Sequence, residues 1–311
     1  MRVTIAVLFV MGMTCAAQTR PAIIGVSHIA VYASDAAKTE QFYVHDIGLK
    51  KGEDPENSNG VRYYVNQEQF VEVLPLPADA GANRLDHLGY MTKNAEGMRA
   101  YLGAKGIQVP DAVKKGSDGS AWFDVQDPEG NKVEFVQPAA KLLGMGTAGL
   151  YALTGADPIG RRIIHVGMFV RDREKEDGFY RTILGFQPYW YGGMHEHTDW
   201  VSQQVPDGHD WLEYMVYNGE GAPDHVPQSQ LGVLNHLSLG VTNMEVAVTK
   251  LYQEDRLGDA PARPQIGRDG KWQFNDYDPD HTRVEVMEFT AAAKPCCSKF
   301  TAANPTPEGQ P

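Results

Sequence analysis

Residues 26–31, 85–90, 163–168 and 234–239 each set one histidine, His28, His87, His165 and His236, in a short, mostly apolar run that alternates as a strand does. Four further runs pin a glutamate between two apolar residues: Val71-Glu72-Val73, Val133-Glu134-Phe135, Leu212-Glu213-Tyr214 and Val284-Glu285-Val286. The eight positions alternate along the chain, and each His precedes its Glu by 44, 47, 48 and 49 residues in turn. A repeat this regular predicts four modules of about 55 residues, arranged as two pairs.

The pairing is repeated in finer detail. His28 is followed by Phe42-Tyr43 and Gly48, and His165 by Phe179-Tyr180 and Gly185, at identical offsets. Asp127-Pro128 precedes Glu134 by the same distance that Asp278-Pro279 precedes Glu285, and both Asp-Pro pairs open a polar stretch that reads as a hairpin turn. Residues 35–47 and 172–184 carry helical patterns. Ser34 or Asp35 caps the first, and Gly48 and Gly185 stop the two. Each module therefore reads as strand, helix, then three strands, an α+β fold. The domains expected are residues 23–138 and 161–290, joined by a linker over 139–160. Residues 291–311, rich in Ala, Pro and Thr, read as a flexible tail.

The N-terminus changes the bookkeeping. Arg2, the apolar residues 3–13 and the small residues ending at Ala17 form the pattern of a secretory signal peptide over residues 1–17, with periplasmic or secreted localisation. The run is too short to span a bilayer, which takes about 20 residues. The 311 residues carry 28 bases against 40 acids, a formal charge of −12. That acidity argues against nucleic acid or an anionic membrane surface as partner, since both repel it. Three cysteines cannot build a disulfide framework or a four-thiolate zinc site. Cys296 and Cys297 are adjacent, so a vicinal disulfide, an intermolecular bridge or a dithiol is open to them.

The eight His and Glu positions suggest metal binding. A Glu flanked by apolar residues on a strand points away from both neighbours, to the other face of the sheet. A carboxylate on a concave face needs a cation or water. Imidazole with carboxylate suits one divalent ion (Fe, Ni, Co, Mn or Zn), and two His with two Glu leave such an ion with no net charge. The alternative for any one of them is ordinary: a hydrogen-bonded core His, or a Glu facing solvent.

This organisation resembles the vicinal oxygen chelate superfamily, which includes glyoxalase I, extradiol ring-cleaving dioxygenases, fosfomycin-resistance proteins and bleomycin-binding proteins. The resemblance implies βαβββ modules paired into cupped sheets, one divalent metal per active pair, and a small-molecule substrate. It implies the ligand set His28, Glu72, His87 and Glu134 in the first pair, and His165, Glu213, His236 and Glu285 in the second. A dioxygenase of this type would use His165, His236 and Glu285. The ring-cleaving pattern also carries a His and then a Tyr shortly before the Asp-Pro. Here Asn275 stands at the Tyr position, and no His occurs between residues 237 and 280. The glyoxalase pattern departs at Ile47 and Met168. The function expected is an exported, metal-dependent enzyme of glyoxalase-like isomerase or lyase chemistry, with Glu213 or Glu285 as the catalytic base. The alternatives are an extradiol-type dioxygenase, or a non-catalytic binding or sequestration protein on the same fold.

Other features carry less. Trp190, Tyr191, Trp200, Trp211 and Tyr214 lie close together, as a pocket wall or as core packing. His195 and His197 read as a solvated loop pair with a possible acid–base role, and His281 as a surface turn residue.

Overall fold

The computed structural model describes residues 19–140, 155, 157–195, 197–218, 225–257 and 263–307. The expected signal peptide, and residues 141–154 and 156 of the expected linker, lie outside the described residues.

The first domain runs β1 (Ile23–Ala33), α1 (Ala36–Glu40), β2 (Lys50–Glu53), β3 (Val61–Tyr64) and β4 (Phe70–Pro75). It continues with β5 (Leu85–Thr92), α2 (Ala95–Ala104), β6 (Lys114–Lys115), β7 (Ala121–Gln126) and β8 (Lys132–Gln137). The second repeats the scheme with β9 (Ile163–Val170), α3 (Arg173–Asp177), β10 (Gln187–Gly192), β11 (Trp200–Gln204) and β12 (Trp211–Val216). An added helix, α4 (Gln228–Leu234), leads into β13 (His236–Val241), α5 (Met244–Gln253), β14 (Gln265–Ile266), β15 (Trp272–Tyr277) and β16 (Arg283–Glu288). Each domain is one curled eight-stranded mixed sheet, ordered β2-β3-β4-β1-β5-β8-β7-β6 and β10-β11-β12-β9-β13-β16-β15-β14. The fold is thus α+β, two cupped domains of two modules each. Among the described residues no helix is long and apolar enough to cross a membrane.

The caps follow from the sequence. Asp35 accepts hydrogen bonds from the Ala37 and Lys38 amides, satisfying donors that the first helical turn leaves free. α1 and α3 continue as wider turns, Gln41–Asp46 and Gly178–Ile183, in which Ile47 N bonds Phe42 O and Leu184 N bonds Phe179 O. These turns end at Gly48 and Gly185, whose φ of 82° and 83° suits glycine.

Strand alternation sorts the two faces. Val71, Val73, Val133, Phe135, Leu212, Tyr214, Val284 and Val286 join Phe42, Tyr43, Phe179 and Tyr180 in one apolar cluster that spans both domains. The four glutamates between them face the opposite way. Polar bridges close the domain contact. Gln69 Nε2 donates to Val26 O and Ile163 O at 3.0 and 2.9 Å, and Tyr101 Oη donates to Ile183 O at 2.8 Å.

Composition suggested a flexible tail after residue 290, but residues 291–307 are docked on the second domain. Phe300 packs on Tyr189 at 4.9 Å, Thr301 N donates to Tyr189 O at 3.0 Å, and Gln204 Nε2 donates to Ala303 O at 2.8 Å. Arg162 Nη1 donates to Thr306 O at 3.0 Å. A single aromatic anchor, with hydrogen bonds at the segment's backbone and at its Ser298, Thr301 and Asn304 side chains, orders it, and such pairings leave no compositional trace. Cys296 and Cys297 are joined as a vicinal disulfide within it.

Candidate metal centres

The eight sequence-marked side chains gather into two groups, one on the concave face of each sheet. In the first domain His28 Nε2 lies 2.7 Å from His87 Nε2 and 3.5 Å from Glu134 Oε1. Glu72 Oε2 lies 3.9 Å from His28 Nε2 and 3.4 Å from His87 Nε2. In the second, His165 Nε2 lies 3.1 Å from His236 Nε2 and 3.1 Å from Glu285 Oε2, and His236 Nε2 lies 3.5 Å from Glu213 Oε2.

Small residues make this approach possible. His28 pairs across the sheet with Gly89, and His236 with Gly167. A Cβ on Gly89 would fall 2.2 Å from His28 Cε1, and one on Gly167 1.9 Å from His236 Cε1. Each imidazole therefore lies flat over a glycine of the neighbouring strand.

The donor sets fit a divalent ion. His87 Nδ1 contacts Asp86 Oδ2 at 2.6 Å and His236 Nδ1 contacts Leu234 O at 2.9 Å. Those bonds take the Nδ1 proton and leave a lone pair on each Nε2. Burial, reinforced by His87 in one case and Arg283 in the other, pushes the pKa of His28 and His236 well below the usual imidazole value, so both are neutral. Nitrogens and oxygens held about 2.0–2.2 Å from one ion lie about 3–3.5 Å from each other, close to the spacings here. Glu134 Oε1 is buried without a hydrogen-bond partner. Burial, then a hydrogen bond to Asp54, raises Glu72 to about 9, and burial beside Glu56 and Asp124 raises Glu134 well above the carboxylate range. Carboxylates so crowded ionise together only with a cation among them.

A ring stacks on the first-strand histidine in both domains, and a cation stacks on the ring. Phe70 lies 4.5 Å from His28 with Arg62 Cζ 3.9 Å over it. Trp211 lies 4.6 Å from His165 with Lys271 Nζ 4.5 Å over it. Phe70 and Trp211 each precede a ligand Glu by two residues, so strand periodicity alone carried the signal for them. Lys271 sits in a loop and left none.

The two cups differ in access. Arg62 stands in register opposite Glu72, and its guanidinium pairs with Asp54 and Glu56, all three side chains being buried. Their buried ion pairs fill the first cup beside Glu72. At the equivalent position opposite Glu213 stands Ser202, whose short side chain donates to Glu213 at 3.3 Å. There the sheet opens on a cavity of about 410 Å³, lined by Trp190, Trp200, Trp211, Glu213, Asn275, Arg283 and Glu285 among others, with Phe300 of the docked C-terminal segment. Three tryptophans thus wall the cavity, whereas Tyr214 lies in the core and Tyr191 is half exposed. His195 and His197 are exposed and do not line the cavity, and His281 is an exposed turn residue with φ 66°.

A profile of the glyoxalase/bleomycin resistance protein/dioxygenase superfamily matches residues 25–135 and 162–286. No curated protein matches the chain. Among solved structures, homoprotocatechuate 2,3-dioxygenase from Brevibacterium fuscum, in complex with 3,4-dihydroxyphenylacetate, superposes with a TM-score of 0.61. The identity is 20%, over 87% of this chain and 82% of that one. A catechol 2,3-dioxygenase gives 0.62 at 15% identity, over 93% and 96%. The Mn(II)-bound glyoxalase from Novosphingobium aromaticivorans gives 0.63 at 16%, over 86% and 83%. At these identities the likeness is one of fold.

Proposed function

Since the chain belongs to the glyoxalase/bleomycin resistance protein/dioxygenase superfamily, we propose that it is an exported, divalent-metal-dependent enzyme acting on a small oxygen-rich molecule in the cup of its second domain. The observation that carries this reading is the contrast between the cups: Glu213 and Glu285 of the second group line a cavity of about 410 Å³ with Ser202 opposite Glu213, while the buried ion pairs of Arg62 with Asp54 and Glu56 fill the space beside Glu72 in the first. His165, His236 and Glu285 would hold the ion, with Glu213 as a fourth ligand able to leave it. An ion bound there would supply Lewis-acid chemistry toward an oxygen-rich substrate.

The remaining work falls to the side chains. Glu213 faces the cavity with Ser202 as its hydrogen-bond donor, and serves as the base that takes a substrate proton. Glu285 stays against His165. Trp190, Trp200 and Trp211 exclude water and give an apolar wall. Isomerase or lyase chemistry is placed ahead of ring cleavage because Asn275, across the strand pair from Glu285, lines the cup where the ring-cleaving pattern carries a tyrosine. Export rests on Arg2, the apolar run and Ala17.

Metal analysis of purified protein and of the Glu134→Ala and Glu285→Ala variants tests the reading. Stoichiometric divalent metal in the wild type, lost from the second cup in Glu285→Ala, is expected. A wild-type protein that carries none and takes up none on dialysis against divalent salts overturns it in favour of a non-catalytic binding protein. Oxygen consumption by the Fe(II)-loaded protein with catechols would reverse the order of the two chemistries.

A further inference from the structure

The residue two before the last-strand glutamate is a cation in both domains: Lys132 before Glu134 and Arg283 before Glu285. Each stands in register with the second histidine, Lys132 with His87 and Arg283 with His236. In the first domain the cation is neutralised, since Lys132 Nζ pairs with Asp86, the residue before His87. In the second domain the residue before His236 is Asn235. Its amide is committed elsewhere, accepting from Phe169 N at 2.9 Å and donating to Asn83 Oδ1 at 2.9 Å. Arg283 has therefore lost the acid that its counterpart keeps.

What remains is a guanidinium 8% exposed, lining the cavity, with Nε and Nη2 both buried and without a hydrogen-bond partner. An unpaired buried charge is costly unless something pairs with it. Nε–H and Nη2–H lie parallel along one edge of the guanidinium, at the spacing of the two oxygens of a carboxylate. Asn275 Oδ1, in the same wall, is also buried without a partner. Along the strand, Arg283 is two residues from Glu285, a separation of about 7 Å.

We propose that Arg283 is a specificity-determining residue that binds a carboxylate of the substrate side-on, so the substrate carries an acid group a few bonds from the two oxygens presented to the metal. This rests on the reading of the second cup as the metal-dependent working site.

The test uses the full chain, loaded with Co(II) and assayed for metal content, and two probes that share one pair of vicinal oxygens: catechol and 3,4-dihydroxybenzoate. Calorimetry on the wild type is expected to give the carboxylate-bearing probe an advantage of about tenfold or more, the scale of a charge-assisted bidentate contact. Arg283→Met should abolish the advantage while leaving metal content and catechol affinity in place. Asn235→Asp, which restores the acid of the first domain, should abolish it by occupying Arg283, and covers the case in which Arg283→Met does not fold. Equal affinity of the two probes for the wild type, or an advantage that survives both substitutions, overturns the carboxylate site and leaves the metal reading standing. Failure to take up metal overturns that reading and this proposal with it.

Discussion

Tyr43 of the first domain donates its phenol proton to Asp278 of the second at 3.1 Å, 235 positions further along the chain. The symmetric contact, Tyr180 to Asp127, runs the other way at 3.5 Å. The tyrosine of each Phe-Tyr pair thus reaches the aspartate of the other domain's Asp-Pro turn. Each aspartate also organises its own turn, Asp127 accepting from the Glu129 and Asn131 amides and Asp278 from those of Asp280 and Thr282. Two motifs that the sequence repeats for local reasons are therefore also the means by which the domains are locked together.

Tyr43→Phe leaves Asp278 buried with one donor fewer and should lower stability by about 1–3 kcal/mol, read from urea unfolding. Tyr180→Phe, with the longer bond, should cost less. Burial raises Asp278 to about 6 against the pull of its amide and phenol donors. A carboxyl whose folded pKa is raised favours the folded state at low pH and loses that contribution as pH rises through about 6. Asp278→Asn should therefore flatten the part of the stability profile between about pH 4 and pH 6. An unchanged slope in that window would refute the assignment.

Gly89→Ala and Gly167→Ala each drive a methyl into an imidazole ring. Overpacking of this kind costs about 1–3 kcal/mol, and each substitution should displace the histidine it touches. Metal titration should show one centre weakened in each variant, the first for Gly89→Ala and the second for Gly167→Ala, with the other unaffected.

Arg62→Ser removes the cation that Asp54 and Glu56 share, and breaking a buried ion pair in this way costs about 3–5 kcal/mol. The reciprocal change, Ser202→Arg, brings a guanidinium into the open cup. It should abolish ligand binding in the second domain while the metal is retained, which metal analysis and calorimetry on one sample will show. Ligand affinity unchanged in Ser202→Arg would mean that this residue does not set access.

Lys271 is fully buried among the rings of Tyr189, Trp211 and Phe300, and its Nζ has no hydrogen-bond partner. Burial lowers its pKa to about 8 in spite of Asp269. A lysine whose folded pKa is depressed weakens the fold while it is charged, and that penalty fades as pH rises from about 8 toward the unfolded value near 10.5. The wild type should gain stability over that range. Lys271→Met should be more stable than the wild type at pH 7 and lack the rise. A Lys271→Met protein that is less stable at pH 7 would mean that the cation–ring contacts outweigh the burial.

The sequence by itself determined the modules, their pairing, the face of the sheet on which each His and Glu lies, and the caps and stops of the first helices. All of these follow from local rules: strand period, N-cap chemistry, and glycine where φ is positive. It also marked the eight residues that gather into two groups, because each is set by its own strand. Tertiary structure decided which group is accessible, since that turns on Arg62 against Ser202 and on a loop that folds back with Asp54 and Glu56. It decided that residues 291–307 dock, because Phe300 meets Tyr189 only across some hundred residues of chain. It also left Arg283 without the acid that Lys132 has, because each cation meets the residue before the second histidine only across paired strands, and there Asn235 stands where the first domain has Asp86.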